Sequence, residues 1–186
     1  MRFSSILINI KTHTLYKKLL NTISPHVFVY LVSNDTFFLA SFLKKFKLDI
    51  PHTLIQYKSA EAFFEETFIQ KPNKKNISVI IFEYTFEDNN EFNSLNGLDM
   101  FEIIQHTLPE SFVAILAKKN EVEEIKNTNE HIEIVVKNSN AHIRLQNIIY
   151  SIYNVQNIDV QRNLNIFLGK TFLIIIVLLL TLCILF

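Results

Sequence analysis

The sequence predicts an α/β protein, a five-stranded doubly wound parallel sheet, followed by one C-terminal transmembrane helix. Three observations carry that expectation. Five short apolar runs recur between residues 27 and 136, most of them rich in β-branched residues, and each is followed by a segment of helical apolar spacing. The joints between runs are short, as they are where crossover helices join parallel strands. The last 21 residues, 166–186, carry a single charge, Lys170.

The elements follow in order. Residues 27–32 are continuously apolar, the pattern of a strand buried on both faces. Asp35 is placed to cap a helix whose inward positions are Phe38, Leu39, Phe42, Leu43 and Phe46. Residues 53–57 read as a second strand, and Ser59 opens a helix through Phe63, Phe64 and Phe68. The third strand is expected over 79–82, and a polar stretch over 84–96 follows it. Residues 98–106 then form a helix with Leu98, Phe101, Ile103 and Ile104 inward. Residues 112–117 are the fourth strand, 121–126 a short helix and 132–136 the fifth strand. A last helix over 141–153 carries the stripe Ile143, Ile148, Ile149 and Ile152. Four regions result: an extension over 1–26 with an amphipathic helix at 12–23, the α/β domain over 27–153, a segment over 154–163, and the anchor over 164–186. The segment 154–163 is either a polar joint or a continuation of the last helix.

Composition narrows the function. There are 18 basic and 18 acidic side chains, which removes the simplest electrostatic case for a nucleic-acid partner. The lone cysteine, Cys183, excludes an intrachain disulfide and a zinc knuckle, and suits a reducing compartment. Glycine occurs twice, where about 13 would be average, so asparagine is expected to take left-handed turn positions in its place. The six histidines show no i, i+4 pair, and neither a Gly-x-Ser-x-Gly elbow nor a glycine-rich phosphate loop is present. No catalytic residue, metal ligand or cofactor is therefore expected, and the chain reads as a non-enzyme. Residues 1–75 carry 11 basic and 5 acidic side chains, and residues 76–163 carry 6 and 13. A domain so divided should be electrically two-sided.

A helix over 166–186 spans about 31 Å, close to the thickness of a bilayer core. Lys170 lies one turn inside its near end, where its stem can snorkel to the headgroups. With Arg162 it flanks the near side, which by the positive-inside rule places the domain in the cytoplasm. The expectation is a tail-anchored, single-pass protein of the cytoplasmic membrane.

Three local patterns add a resemblance. Leu31-Val32-Ser33-Asn34-Asp35 ends an apolar strand at a point where two acidic residues would stand in the receiver domain of bacterial response regulators. Asn96-Gly97-Leu98-Asp99 is similar to that family's Asp-Gly-Leu-Glu helix opening, and Ile134-Val135-Val136-Lys137 is similar to the strand that ends in its lysine. Taken with the order of elements, residues 27–153 resemble a receiver, which implies a flavodoxin-like sheet and a role in two-component signalling.

The same resemblance shows what the chain lacks. A receiver binds a divalent cation through carboxylates after its first and third strands, and the third-strand aspartate accepts phosphate. Here Ser33 and Asn34 occupy the first pair, and Glu83 stands in the acceptor's place, its carboxylate about 1.5 Å further out. Ala117 replaces the hydroxyl that would hold the phosphoryl group, and Ile134 replaces the switch aromatic. Lys137 is retained, with Asn138 in place of proline. Glu83 and Lys137 are either a lasting ion pair that imitates the phosphorylated state or a solvated strand-end pair of small consequence. Asp35 is a helix cap or part of a residual cation site. Glu87, Asp88 and Glu91 lie in a longer loop that is a solvated surface or a docking or cation site.

The degenerate pocket of Ser33, Asn34, Glu83, Ala117 and Lys137 points to a membrane-tethered pseudo-receiver. It would act as an adaptor or scaffold for protein partners, independently of phosphorylation. An atypical phosphorylatable receiver and a structural subunit of a membrane complex are the alternatives.

Overall fold

In the computed structural model each of the five apolar runs is a strand, and all five pair in parallel. The structure describes residues 24–69, 76–85, 96–128 and 132–185. The elements are β1 (Val27–Val32), α1 (Thr36–Lys45), β2 (His52–Tyr57), α2 (Ala60–Ile69), β3 (Ile77–Glu83), α3 (Gly97–Thr107), β4 (Phe112–Ala117), α4 (Val122–Thr128), β5 (Glu133–Val136) and α5 (Ala141–Leu185). The amphipathic helix expected over 12–23 and the residues Glu87, Asp88 and Glu91 lie outside the described residues. Strand order is β2-β1-β3-β4-β5. Every residue of the central β3 is buried, whereas the edge strand β2 buries only Tyr57.

The sheet separates two apolar layers because alternate strand residues face opposite ways. On one face Val29, Leu31, Val79, Ile81 and Leu116 pack with Phe42 and Phe46 of α1 and with Ala141, Leu145, Ile149 and Tyr153 of α5. On the other, Ile80, Phe82 and Ile115 pack with Phe63 of α2, Met100, Phe101 and Ile104 of α3, and Ile125 of α4. Each fully buried Leu, Ile or Phe contributes on the order of 2 kcal/mol in transfer free energy. Phe38, Phe42 and Phe46 stack along α1 with centroids 5.6 and 4.9 Å apart, one helical turn per step.

Local capping fixes where the helices start. The Asp35 side chain accepts from the Phe38 amide at 2.8 Å, so it does cap α1. Asn96 caps α3 in a reciprocal box, accepting from Leu98 and Asp99 while Asp99 accepts from the Asn96 amide. The Ser59 hydroxyl accepts from the Ala62 amide at the start of α2.

Three expectations need correction. Among the described residues no residue has positive φ, so asparagine does not supply left-handed turns there. The helices close without them: the C-cap residues Phe46 and Leu108 leave at negative φ and return their amides to Phe42 and Ile104. On α3 the fully buried position is Met100 rather than Ile103, because Met100, Phe101 and Ile104 share the i, i+1, i+4 face. On α5 the buried stripe runs Ala141, Leu145, Ile149, Tyr153, in steps of four. Ile143 lies about 200° from Leu145 and is 49% exposed.

Residues 154–163 continue α5 rather than forming a joint. The compact α/β unit covers Pro25–Tyr153. Between Ile166 and Leu182 the same helix carries large apolar side chains that are all exposed, from Phe167 at 65% to Ile176 at 41%. This stretch is long and apolar enough to cross a membrane.

Candidate functional site

Parallel strands all end on one edge of the sheet, and that edge gathers Ser33, Asp35, Glu83, Ala117 and Lys137. Each follows from register. The Ser33 amide extends the β1–β2 ladder by donating to the Tyr57 carbonyl at 3.0 Å. Glu83 is the last residue of β3, opposite Leu116 of β4. The Lys137 amide donates to the Ala117 carbonyl at 2.8 Å, which continues the β4–β5 pairing by one step.

The side chains then converge on one carboxylate. Glu83 is 3% exposed. Its Oε1 accepts from the Ser33 hydroxyl and, at 3.1 Å, from the Lys137 ammonium. Lys137 comes from β5, two strands away from β3, a separation of roughly 10 Å that its long stem spans across the end of β4. The same ammonium lies 2.7 Å from Asp35 Oδ2 and 5.1 Å from the centre of the Phe38 ring. Asp35 therefore has two roles, capping α1 and holding Lys137. Ser33, itself fully buried, also accepts from the Asp35 amide at 3.3 Å.

A buried carboxylate without partners would be costly, so this convergence is a condition of burial. The hydrogen bond from Lys137, then that from the Phe38 amide, hold the Asp35 carboxyl below the usual range. Burial alone would pull the Lys137 ammonium down, but its contacts with Asp35 and Glu83 outweigh this and raise it. Both groups are thus charged across the neutral range.

The loop side of the edge is equally constrained. Gly97 donates to the Tyr84 carbonyl at 2.8 Å, and a Cβ there would sit 2.8 Å from Tyr84 Cα. Glycine is required by that close approach of backbone to backbone, not by its φ. Burial, followed by the Glu124 carboxylate, pushes the Tyr84 phenol up. On the other flank Glu121 accepts from the Thr85 hydroxyl at 2.9 Å and from the Lys118 amide at 2.6 Å.

Of the residues the sequence singles out, Ser33, Glu83 and Lys137 meet, and Ala117 takes part through its carbonyl alone. Asn34 is half-buried and contributes no hydrogen bond to the cluster. Arg162 and Lys170 lie exposed on the distal part of α5. The sequence reading missed the Asp35–Lys137 pair. An acid two residues after β1 and a lysine just past β5 share an edge only once strand order is known. Among the described residues no three of His, Cys, Asp and Glu are grouped to hold a metal ion. The two carboxylates that reach the cluster, Asp35 and Glu83, are both engaged by Lys137.

The architecture matches solved receivers. A two component transcriptional regulator AraC from Clostridium phytofermentans ISDg superposes at a TM-score of 0.53, with 12% identity, covering 73% of this chain and 98% of that one. The signal receiver domain of an HD domain-containing protein from Pseudomonas fluorescens Pf-5 gives 0.54, with 14% identity and coverages of 75% and 95%. The Legionella pneumophila response regulator LqsR gives 0.51, with 13% identity, covering 75% of this chain and 46% of that chain. No family model matches the sequence, and no curated protein matches it. The chain has the five-stranded, flavodoxin-like receiver fold.

Proposed function

We propose that this protein is a membrane-tethered pseudo-receiver, a signalling module that binds protein partners without accepting phosphate. The observation that carries the reading is the state of Glu83. A phosphoryl acceptor must present a carboxylate oxygen to the incoming group with a cation alongside. Glu83 instead is buried, and its Oε1 is shared between the Ser33 hydroxyl and the Lys137 ammonium. Ala117 has no hydroxyl to receive a phosphoryl oxygen. The cluster is an electrostatic closure of the sheet edge, fixed in one state.

Tethering rests on the exposed apolar length of α5 beyond Tyr153, which in water would be an unmanageable apolar surface. The cytoplasmic membrane, with Arg162 and Lys170 on the near side, suits it. The two-sided charge expected from the sequence is not carried by the described residues: 24–69 hold four basic side chains, Lys44, Lys45, Lys47 and Lys58, against five acidic ones, Asp35, Asp49, Glu61, Glu65 and Glu66.

The test is to incubate the full chain, in lipid nanodiscs, with magnesium and acetyl phosphate and to follow its intact mass. The expected result is no phosphoryl adduct. A stoichiometric adduct on Glu83 would favour the atypical receiver instead.

A further inference from the structure

We propose that the part of α5 around Arg162 and Lys170 holds a site for the headgroup of an anionic phospholipid, clasped between those two side chains. The inference rests on the tethering reading and says which lipid the anchor selects. Beyond Tyr153 the helix carries three charged residues, Asp159, Arg162 and Lys170. Among the described residues none of the three has an ion-pair partner, and Asp159 precedes Arg162 by three positions without pairing with it.

Helix geometry puts the two cations on one face. Eight residues turn Lys170 about 80° from Arg162, with Ile166 midway between them, and separate the two by about 12 Å along the axis. All three side chains are exposed. Both cations sit on long stems, so their heads can converge on the level of Ile166, the first residue of the apolar run 166–186. That level is the rim of a hydrocarbon core, where lipid phosphates lie. A shallow concavity on the same stretch is lined by Ile158, Gln161, Arg162, Asn165 and Ile166. It sets two side-chain amides beside the guanidinium, able to bond the phosphodiester and the hydroxyls of a headgroup. The guanidinium can take two phosphate oxygens at once, and the ammonium adds a point charge. A choline headgroup would bring its own cation to this face, and a parallel second copy would bring two Arg162 side chains together. An anionic headgroup meets neither repulsion.

The experiment measures the full chain in dodecyl maltoside micelles by native mass spectrometry, with phosphatidylglycerol or phosphatidylcholine of the same acyl chains. The expected result is one phosphatidylglycerol retained per chain, bound about tenfold more tightly than phosphatidylcholine. Arg162→Gln and Lys170→Gln should each reduce that preference to about twofold. The double exchange Gln161→Arg, Arg162→Gln keeps the net charge but turns the cation to about 180° from Lys170, and should lose the preference as well. All these positions are exposed, and the melting temperature of each variant checks that the fold is kept. Equal retention of the two lipids, or a preference that survives the double exchange, would overturn the site. So would full displacement by glycerol 3-phosphate at the lipid's own concentration, or a lipid-free dimer. Flotation with phosphatidylcholine liposomes reads the tethering separately. A chain that floats yet shows no lipid preference keeps the anchor and discards the site, and one that does not float discards both.

Discussion

Two regions of this molecule invert the usual placement of side chains, and they resolve the inversion differently. At the sheet edge a charged cluster is inside, with Glu83 at 3% exposure. On distal α5 a run of large apolar residues is outside, with Leu173 at 63% and Leu180 at 59%. The first inversion is met within the chain: Ser33 and Lys137 contact the buried carboxylate, and Asp35 holds the Lys137 ammonium in turn. The second is left exposed along the helix, and an apolar surrounding is what the proposed tethering supplies. The comparison teaches that a charged residue can be inside when side chains of its own chain meet it, as Ser33 and Lys137 meet Glu83, whereas the apolar run of distal α5 has no such cover among the described residues.

The largest expected effect breaks the second region. Ile175→Lys, Leu178→Lys and Leu182→Lys together place three charges in the centre of the apolar run, at about 3 kcal/mol each for insertion. The chain is expected to move from the membrane pellet to the soluble fraction while the melting temperature of the α/β unit stays unchanged. Persistence in the pellet after a carbonate wash would contradict the membrane role of distal α5.

The next effect breaks the first region. Lys137→Met leaves Glu83 buried without its cation and should cost about 3–5 kcal/mol in chemical denaturation. Glu83→Gln should cost less, since an amide keeps a hydrogen bond to Ser33. The double variant is expected to be less destabilised than the sum. Additive costs would show that the two groups do not sense each other.

Gly97→Ala sharpens the same region from its backbone. The added methyl would meet Tyr84 Cα and the Glu83 carbonyl, so a loss of about 1–3 kcal/mol is expected, with amide shifts at Glu83. An Ala variant as stable as the parent would mean that the loop yields freely.

The smallest effect is the response to pH. Asp35 is held below its ordinary 3.8, so its contribution is present above that value and is lost as pH falls below it. Lys137 is held above its ordinary 10.5, so its contribution is complete below that value and is lost as pH rises beyond it. Stability attributable to the cluster should be flat between these limits, and Asp35→Asn should blunt the acid limb alone.

Much of the fold was legible because most strands hold an apolar run bounded by polar residues, β2 with its His52, Thr53 and Gln56 least so. Val27–Val32 and Phe112–Ala117 end where the apolar pattern ends. Helix faces were legible less well, since periodicity names a face and not its centre. Ile143 carries the right chemistry and lies on the wrong side, whereas Met100 sits where α3 is deepest. The site was half legible. The resemblance drew attention to Ser33, Glu83 and Lys137, but the sequence left open whether Glu83 and Lys137 meet. Asp35 was legible as a cap, through its spacing from Phe38, and not as a partner of Lys137, because 102 residues and four crossovers separate them. No local pattern reports a contact of that kind.

The central claim is that the sheet edge is locked by its own residues. It is tested most directly by nitrogen-15 labelling of the full chain in nanodiscs and titration with magnesium and beryllofluoride, a phosphoryl mimic. The account predicts no saturable shift of the Ser33, Glu83 and Lys137 amides. Saturable, magnesium-dependent shifts at those three residues would contradict it and make the protein a working receiver.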